Sequence, residues 1–152
     1  MPAEIGKLAP DFTLPDQTNH PVSLEDLKGS KAIIVFIPFP FTRVCEDELC
    51  AIRDDYSNLT GLGAKVVAIT TTPRPSVKAW SDQNDFPFPI LSDFWPHGAV
   101  TKEYGAFNEA NGAAQRFSFI LDAEGVVRAM VRSEHLPQGR QHEEYAKALA
   151  EI

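Results

Sequence analysis

The chain has 152 residues, of which 43% are hydrophobic, so it can bury a core and does not have the composition of a disordered chain. Its 14 lysines and arginines are outnumbered by 21 aspartates and glutamates, which leaves a formal charge of -7. This acidity argues against nucleic acid or anionic lipid as a main partner and suits a soluble protein that acts on small solutes. We expect one domain over residues 1–152.

No segment of the sequence predicts secretion or insertion into a membrane. Residues 1–10 carry Glu4 and Lys7 and lack the apolar stretch of a signal peptide. The most apolar run, Ala32–Phe41, contains two prolines and is far shorter than the roughly 20 residues that span a bilayer. We therefore expect a cytoplasmic location and no membrane partner. In the cytoplasm cysteines are kept reduced, so they are catalytic, metal-binding or inert more often than cross-linked.

The N-terminal part of the chain predicts a hairpin, a helical turn and a buried strand. Two short strands near Phe12–Leu14 and Val22–Ser23 flank a turn. The segment Ser23–Gly29 begins with a capping serine and ends with a glycine, as in a single helical turn. Lys31–Ile37 is apolar after its first residue and rich in β-branched residues, which is typical of a strand buried on both faces of a sheet.

Helices and strands alternate through most of the remaining chain. A helix is predicted over Arg43–Leu59, because apolar residues recur there at steps of three and four. The other predicted elements are the strand Ala64–Thr70, the helix Pro75–Asn84, the strand Ile90–Ser92, the helix Ala99–Tyr104, the strands Phe117–Leu121 and Val126–Val131 of a hairpin, and the helix Glu143–Ile152. This order predicts an α/β protein with a thioredoxin-like fold: a mixed central sheet flanked by helices, preceded by an N-terminal β-hairpin.

Cys45 lies where the buried strand Lys31–Ile37 gives way to the predicted helix, at the kind of sheet edge where α/β proteins often form sites. The N-terminus of a helix presents free backbone N–H groups and a partial positive charge, which stabilise a thiolate. Thr42 is the predicted N-cap, whose hydroxyl would reach the Cys45 N–H and lie near its sulfur. Arg43 adds a positive charge, so these residues indicate a reactive cysteine.

Two features are also compatible with a Cys45 that has no chemical role. Glu46, Asp47 and Glu48 crowd negative charge around a thiolate, so a second cation from elsewhere in the chain would be needed to offset them. Cys45 also belongs to the apolar face of the predicted helix, where a free cysteine is commonly a small buried hydrophobe. The position on the helix does not by itself separate a reactive cysteine from a packed one.

Cys50 is the other cysteine of the chain and lies on the same predicted helix. An α-helix separates Cα atoms at this spacing by about 8.7 Å. A disulfide needs a Cα separation of about 4.4–6.8 Å. A Cys45–Cys50 bond would therefore require the first helical turns to unwind, and an inert thiol at Cys50 is the alternative.

We predict neither a cofactor nor a metal site. The spacing of the cysteines does not match that of structural zinc pairs, and no cluster of histidine and cysteine completes a site. The four histidines are scattered, and we expect them at the surface. They are His20, His97, His135 and His142.

Three segments, in the right order, resemble motifs of the peroxiredoxin family: the active-site signature, the N-terminal segment, and the later strand that carries the active-site arginine. These segments are Pro38-x-x-x-Thr42-x-x-Cys45, Gly6-x-x-Ala9-Pro10-Asp11-Phe12-x-Leu14 and Arg116-Phe117-Ser118-Phe119-Ile120-Leu121-Asp122, respectively. The resemblance covers nearly the whole chain. It implies the thioredoxin-like fold that the element order predicts.

The resemblance also implies a thiol peroxidase with particular residue roles. Cys45 would attack the peroxide and become a sulfenic acid. Arg116 would supply the missing cation and polarise the peroxide, Thr42 would hydrogen-bond both the thiolate and the peroxide oxygen, and Pro38 would shield the sulfur from water. Glu48 matches a position that is often acidic in relatives and would support the pocket through Arg116. A solvated or helix-dipole role is the alternative for Glu48.

The resemblance points to two subgroups with different reductants. Phe94–Gly98 and the chain length resemble the AhpE subgroup, some members of which have no resolving cysteine. Cys50, in contrast, stands where the PrxQ (bacterioferritin-comigratory) group keeps its resolving thiol. We therefore predict an intramolecular Cys45–Cys50 disulfide that is reduced by thioredoxin, a glutaredoxin-like protein or a similar dithiol. If Cys50 is inert, a low-molecular-weight thiol would resolve Cys45. The family also implies a homodimer, formed through the edge near Thr42 and the loop around Trp95.

Two other functions compete with peroxidase activity. A thiol–disulfide oxidoreductase of thioredoxin type would normally have two residues between its cysteines, whereas this chain has a longer gap. A non-enzymatic redox sensor shares the first oxidation step, so the sequence does not exclude it. Slow turnover with every reductant would favour the sensor.

Overall fold

The computed structural model describes residues 2–133 and 138–152. The strands are β1 (Thr13–Pro15), β2 (Pro21–Ser23), β3 (Lys31–Phe36), β4 (Ala64–Thr70), β5 (Ile90–Ser92), β6 (Phe107–Asn108), β7 (Ala113–Ala114), β8 (Arg116–Leu121) and β9 (Val127–Ser133). The helices are α1 (Leu24–Leu27), α2 (Arg43–Asp54), α3 (Tyr56–Gly61), α4 (Arg74–Asn84), α5 (Ala99–Glu103) and α6 (Glu143–Ala150). His135, for which a surface position was predicted, lies outside the described residues.

Five strands form the central sheet in the order β5-β4-β3-β8-β9. β3, β4 and β5 run parallel, while β8 pairs antiparallel with β3 on one side and with β9 on the other. β1 and β2 form a separate antiparallel hairpin before this sheet. The mixed α/β architecture predicted from the order of the elements is therefore confirmed.

β3 lies at the centre of the sheet because its side chains are apolar on both faces. Every residue from Ala32 to Phe36 is buried. Alternate side chains of a strand point to opposite faces. Ile33 and Val35 pack with the helices α2, α4 and α6, whereas Ile34 and Phe36 pack in a second cluster with the N-terminal hairpin.

The helix that follows β3 is shorter than predicted. A single helix was expected over Arg43–Leu59, but α2 ends at Asp54 and α3 begins at Tyr56. Between them Asp55 has a φ of -102° and a ψ of 8°, outside the helical range. The carboxylate of Asp55 lies 3.0 Å from Nε2 of His142, which is consequently half-buried rather than a plain surface residue.

One small hairpin was not predicted at all. β6 and β7 have two residues each and pair antiparallel. Strands of this length show no alternation of polar and apolar residues, so the sequence pattern contains no signal for them.

The topology determines where a site can form. The loop 37–42 leads from β3 into the N-terminus of α2. Because β8 runs antiparallel to β3, with Val35 opposite Ser118, its first residue, Arg116, lies beside the carboxyl end of β3. The loop, the first turn of α2 and the start of β8 therefore meet at one edge of the sheet.

Across residues 2–133 and 138–152, no helix is long and apolar enough to cross a membrane. The same residues contain no cluster of three or more histidines, cysteines, aspartates or glutamates that could hold a metal ion.

Candidate active site

Cys45 lies in the first turn of α2 and is fully buried. Its Sγ accepts a hydrogen bond from the backbone N–H of Phe39, at 3.4 Å, and another from Nη1 of Arg116, at 3.2 Å. The Cys45 sulfur thus has two polar donors, one of them a guanidinium, and is not surrounded by apolar packing groups alone.

Arg116 supplies the second cation that the acidic first turns of α2 require. Its side chain is only 4% exposed. Nη1 contacts both Cys45 Sγ, at 3.2 Å, and Oε1 of Glu48, at 2.7 Å. A guanidinium buried to this extent must be paired, and Glu48 supplies a charge that holds it against the sulfur.

Glu48 follows Cys45 by one turn of α2 and lies between two arginines. Oε1 accepts from Arg116 Nη1 and from Arg140 Nη2, at 2.7 and 2.9 Å, while Oε2 accepts from the Nε and the backbone N–H of Arg140, both at 2.8 Å. Burial alone would raise the pKa of Glu48. The hydrogen bonds and charge of Arg140, together with the charge of Arg116, hold that pKa below its ordinary value. Glu48 thus contacts Arg116 and is not a solvated surface residue, while its part in the chemistry stays a prediction.

Arg140 is the member of this cluster that sequence reasoning missed. Its side chain is 1% exposed, and Nη1 donates to the carbonyl of Phe36, at 2.7 Å, and to Oγ of Ser118, at 3.0 Å. Arg140 therefore ties β3 and β8 to Glu48 on α2. It lies in an irregular segment before α6 and belongs to no motif. One sequence signal could have pointed to Arg140: the acidic run after Cys45 needs cations to offset its charge.

Thr42 occupies the predicted N-cap position of α2 but does not form the predicted cap. No side-chain cap hydrogen bond is present among the described residues, and the hydroxyl donates instead to the carbonyl of Phe39, at 2.5 Å. Phe41 has a φ of 65°, so the chain turns sharply before Thr42 and the Phe39 carbonyl comes within reach. Thr42 is therefore connected to Cys45 through Phe39, whose N–H donates to the sulfur.

Pro38 and two phenylalanines belong to the loop that precedes Cys45. Pro38 is buried, whereas Phe39 and Phe41 are 41% and 53% exposed. The two exposed rings are apolar groups at the surface of this loop. The shielding of the sulfur by Pro38 stays a prediction.

The structure does not bring Cys50 to Cys45. Both are free thiols, and α2 is continuous from Arg43 to Asp54, so the helical separation between them holds. Cys50 is half-buried and its Sγ–H donates to Oδ1 of Asn84 at 3.8 Å. A disulfide between the two cysteines therefore requires α2 to unwind.

Known proteins resemble this chain in both sequence and structure. Residues 5–130 match the profile of the AhpC/TSA family. Alkyl hydroperoxide reductase E of Mycobacterium tuberculosis is 44% identical over 125 residues, which cover 82% of this chain and 82% of the relative. Chloroplastic peroxiredoxin Q of Sedum lineare is 35% identical over 134 residues, which cover 88% of this chain and 71% of the relative.

A solved structure supports the same assignment. The crystal structure of AhpC from Enterococcus faecalis is 30% identical in sequence and superposes with a TM-score of 0.88, covering 99% of this chain and 92% of that one. The predicted thioredoxin-like fold is thereby confirmed. With the profile match and two relatives above 30% identity, the chain belongs to the AhpC/TSA family and is a peroxiredoxin, a thiol-dependent peroxidase.

Proposed function

We propose that Cys45 is the peroxidatic residue and that the enzyme reduces both hydrogen peroxide and organic hydroperoxides. The observation that carries this proposal is the buried Cys45 sulfur with two donors, the Phe39 N–H and Arg116 Nη1. In the reaction the Cys45 thiolate attacks one peroxide oxygen and the O–O bond breaks. The other oxygen departs with the bonding electrons and takes a proton, leaving as water or an alcohol. Cys45 is left as a sulfenic acid.

The neighbouring residues would assist this displacement electrostatically. Arg116 would stabilise the thiolate before attack and the negative charge that develops on the leaving oxygen. Thr42 would turn its hydroxyl from the Phe39 carbonyl to the bound peroxide, and Pro38 would exclude water. Glu48 would act as a positioning residue, because its carboxylate holds Arg116 without touching the sulfur.

We propose further that Cys50 resolves the sulfenic acid through an intramolecular Cys45–Cys50 disulfide, which thioredoxin or a glutaredoxin-like protein reduces. Cys50 stands at the position that suggested the PrxQ group, and a relative named peroxiredoxin Q is 35% identical to this chain. The chain would then combine an AhpE-like sequence, at 44% identity, with a PrxQ-like second cysteine.

A one-cysteine mechanism is the second candidate. The intact helix α2 favours it, because Cys50 is held away from Cys45 and donates to Asn84. In that mechanism a low-molecular-weight thiol attacks the Cys45 sulfenic acid directly, and Cys50 has no catalytic part.

We propose a cytoplasmic homodimer as the working form. Four exposed aromatic side chains lie in the two regions that the family resemblance assigned to the contact. They are Phe39, Phe41, Phe94 and Trp95, of which Trp95 is 82% exposed. Aromatic side chains are enriched at protein interfaces, so these exposed rings suit a subunit contact. Sedimentation of the parent protein beside Trp95→Ala would test the dimer, which we expect to dissociate in the variant.

Stopped-flow mixing of reduced protein with hydrogen peroxide tests the peroxidase proposal. The parent would be compared with Cys45→Ser and Cys50→Ser, by tryptophan fluorescence and by mass spectrometry of products trapped with a thiol-blocking reagent. We expect a fast phase that is lost only in Cys45→Ser, a Cys45–Cys50 disulfide in the parent, and accumulated sulfenic acid in Cys50→Ser.

Other results would separate the candidates. A fast phase without a disulfide in the parent would support the one-cysteine mechanism. A parent that reacts no faster than an ordinary thiol would overturn the role of Cys45. Rapid oxidation with slow turnover by every reductant would instead favour a redox sensor.

A further inference from the structure

A hydrogen-bonded cluster joins α2 to the end of α4. Asn84 is the last residue of α4. Its Nδ2 donates to Oε1 of Glu46 at 3.2 Å, and its Oδ1 accepts from Sγ of Cys50 at 3.8 Å. Residues four apart lie on one face of a helix, so a single side chain of α4 contacts α2 at two successive turns.

Two further residues complete this contact. Trp80 Nε1 donates to the same oxygen of Glu46 at 3.0 Å, and Arg53 Nη1 donates to the carbonyl of Asn84 at 2.7 Å. Trp80 is fully buried, so its indole N–H needs this acceptor. We refer to Glu46, Cys50, Arg53, Trp80 and Asn84 together as the α2–α4 clasp.

The clasp covers the part of α2 that must open for a disulfide to form. Shortening the distance between Cys45 and Cys50 to disulfide range requires residues 45–50 to leave the helical conformation. Glu46 and Cys50 lie at either end of that stretch. Their displacement would break the hydrogen bonds that join them to Trp80 and Asn84.

We infer that Asn84 is a positioning residue for the resolving step, because it holds α2 closed and so limits the rate at which Cys50 reaches oxidised Cys45. This inference rests on the proposed function in which Cys50 resolves Cys45. It assigns Asn84 no part in the attack of Cys45 on peroxide, whose contacts come from Phe39 and Arg116.

The clasp also bears on the protonation of Cys50. Burial raises the pKa of Cys50, against the charge of Arg53 and with the added charge of Glu46. The Cys50 S–H donates to Asn84, and a thiol attacks poorly compared with its thiolate. Opening the clasp therefore has two effects that both favour the resolving step. It lets Cys50 approach Cys45, and it makes loss of the Cys50 thiol proton easier.

In the resolving step the Cys50 thiolate attacks the Cys45 sulfur, so that an S–S bond forms and the S–O bond of the sulfenic acid breaks. The oxygen leaves with the bonding electrons and takes a proton, giving water. A second hydroperoxide competes for the same sulfenic acid and oxidises it to a sulfinic acid, releasing water or an alcohol. A stronger clasp slows disulfide formation, so a larger fraction of the Cys45 sulfenic acid is oxidised to sulfinic acid.

The test compares the parent with Asn84→Ala, Glu46→Gln and the matched control Gln83→Ala, an exposed neighbour on α4. Stopped flow measures the peroxide phase. Quenching with a thiol-blocking reagent, followed by mass spectrometry, measures disulfide and sulfinic acid without relying on Trp80 emission. For Asn84→Ala we expect disulfide formation about tenfold faster, the factor that corresponds to one or two lost hydrogen bonds. The peroxide concentration that gives half overoxidation should rise by a similar factor.

Glu46→Gln keeps the shape of the side chain but weakens its hydrogen bonds, so we expect an acceleration of about threefold. The peroxide phase of Asn84→Ala, and both phases of Gln83→Ala, should match the parent. Glu46→Gln also removes a negative charge next to Cys45, so this variant is judged by its rate of disulfide formation alone. If Asn84→Ala fails to fold, the rate of disulfide formation in Glu46→Gln tests the inference instead.

Two outcomes would overturn the inference alone. One is that the parent forms the disulfide and that Asn84→Ala and Glu46→Gln form it at the same rate as the parent. The other is a slowed peroxide phase in Asn84→Ala with Gln83→Ala unaffected, because Asn84 would then belong to the peroxide pocket. Absence of the Cys45–Cys50 disulfide in the parent would remove the proposed role of Cys50, and the inference with it.

Discussion

Glu48 and Arg140 form a two-pronged ion pair inside the protein, with Nε 2.8 Å from Oε2 and Nη2 2.9 Å from Oε1. Their side chains are 8% and 1% exposed. Because Oε1 of Glu48 also accepts from Arg116, the position of Arg140 bears on where Arg116 meets the Cys45 sulfur. Arg140 therefore helps to hold Arg116 against the Cys45 sulfur, although Arg140 reaches that site only through Glu48.

The first prediction concerns the loss of the Arg140 side chain. In Arg140→Ala the Glu48 carboxylate keeps its contact with Arg116 but loses the guanidinium of Arg140. We expect it to pull the Arg116 guanidinium away from the Cys45 sulfur. We expect the rate of the peroxide phase to fall about ten- to a hundredfold, as displacements near 1 Å do at active sites. The free energy of unfolding should fall by about 3–5 kcal/mol, as when a buried ion pair loses one partner.

Arg140→Lys is the conservative comparison, because it keeps the charge but loses the two-pronged geometry. We expect values between those of the parent and Arg140→Ala, from stopped flow and from urea unfolding. Arg128→Ala is the control, since Arg128 is about half exposed (49%) and its ion pair with Asp122 should contribute less than about 1 kcal/mol. A parental peroxide rate in a folded Arg140→Ala protein would contradict the positioning role.

The second prediction separates the hydroxyl of Thr42 from its methyl group. The hydroxyl donates to the Phe39 carbonyl, while the Phe39 N–H donates to the Cys45 sulfur. Thr42→Val removes the hydroxyl at nearly constant shape, and we expect a peroxide rate lower by about tenfold or more. Thr42→Ser keeps the hydroxyl and should stay within about twofold of the parent. Pseudo-first-order rates over a series of peroxide concentrations measure both, and equal losses in the two variants would count against the hydroxyl.

The third prediction follows from the lowered pKa of Glu48. A carboxyl whose pKa is lower in the folded than in the unfolded state stabilises the fold fully above its unfolded value, about 4.3. That stabilisation is lost as the pH falls through the lower, folded value. Glu48→Gln cannot titrate, so the excess stability of the parent over this variant should shrink as the pH falls below about 5.

Urea unfolding at fixed pH values measures this difference. The exposed Glu103→Gln is a matched control, for which the stability curve should follow that of the parent. If the curves of the parent and Glu48→Gln stay parallel down to about pH 3, the ion pairs of Glu48 are not the source of the acid sensitivity.

The elements that carry the site could be predicted because their sequence patterns are local. The apolar run Lys31–Ile37 predicted a doubly buried strand, and β3 occupies Lys31–Phe36 at the centre of the sheet. The start of α2 at Arg43 also agrees with the prediction, which places Cys45 in the first turn. The end of α2 was predicted wrongly, because the apolar period continues past the break at Asp55.

The contacts around the sulfur depend on topology and on backbone angles, which local patterns do not contain. Arg140 lies 92 residues from Glu48 in sequence, and their contact depends on the packing of the segment before α6 against α2. The partner of the Thr42 hydroxyl depends on the positive φ of Phe41, which is not a glycine or an asparagine and so gave no signal. Arg116 was assigned through family resemblance and not through any spacing in this chain.

The fourth prediction concerns the link between α6 and the pocket. Tyr145 is buried, and its hydroxyl lies 2.8 Å from Oγ of Ser118, which accepts from Arg140 Nη1 at 3.0 Å. Tyr145→Phe removes one hydrogen bond from a buried pair at nearly constant packing, so the free energy of unfolding should fall by about 1–2 kcal/mol. The peroxide rate should change less than about twofold, because Arg140 keeps its bonds to Phe36 and Glu48. Urea unfolding and stopped flow on the same preparation test both expectations, and a rate loss as large as that of Arg140→Ala would show that α6 positions the pocket through Tyr145.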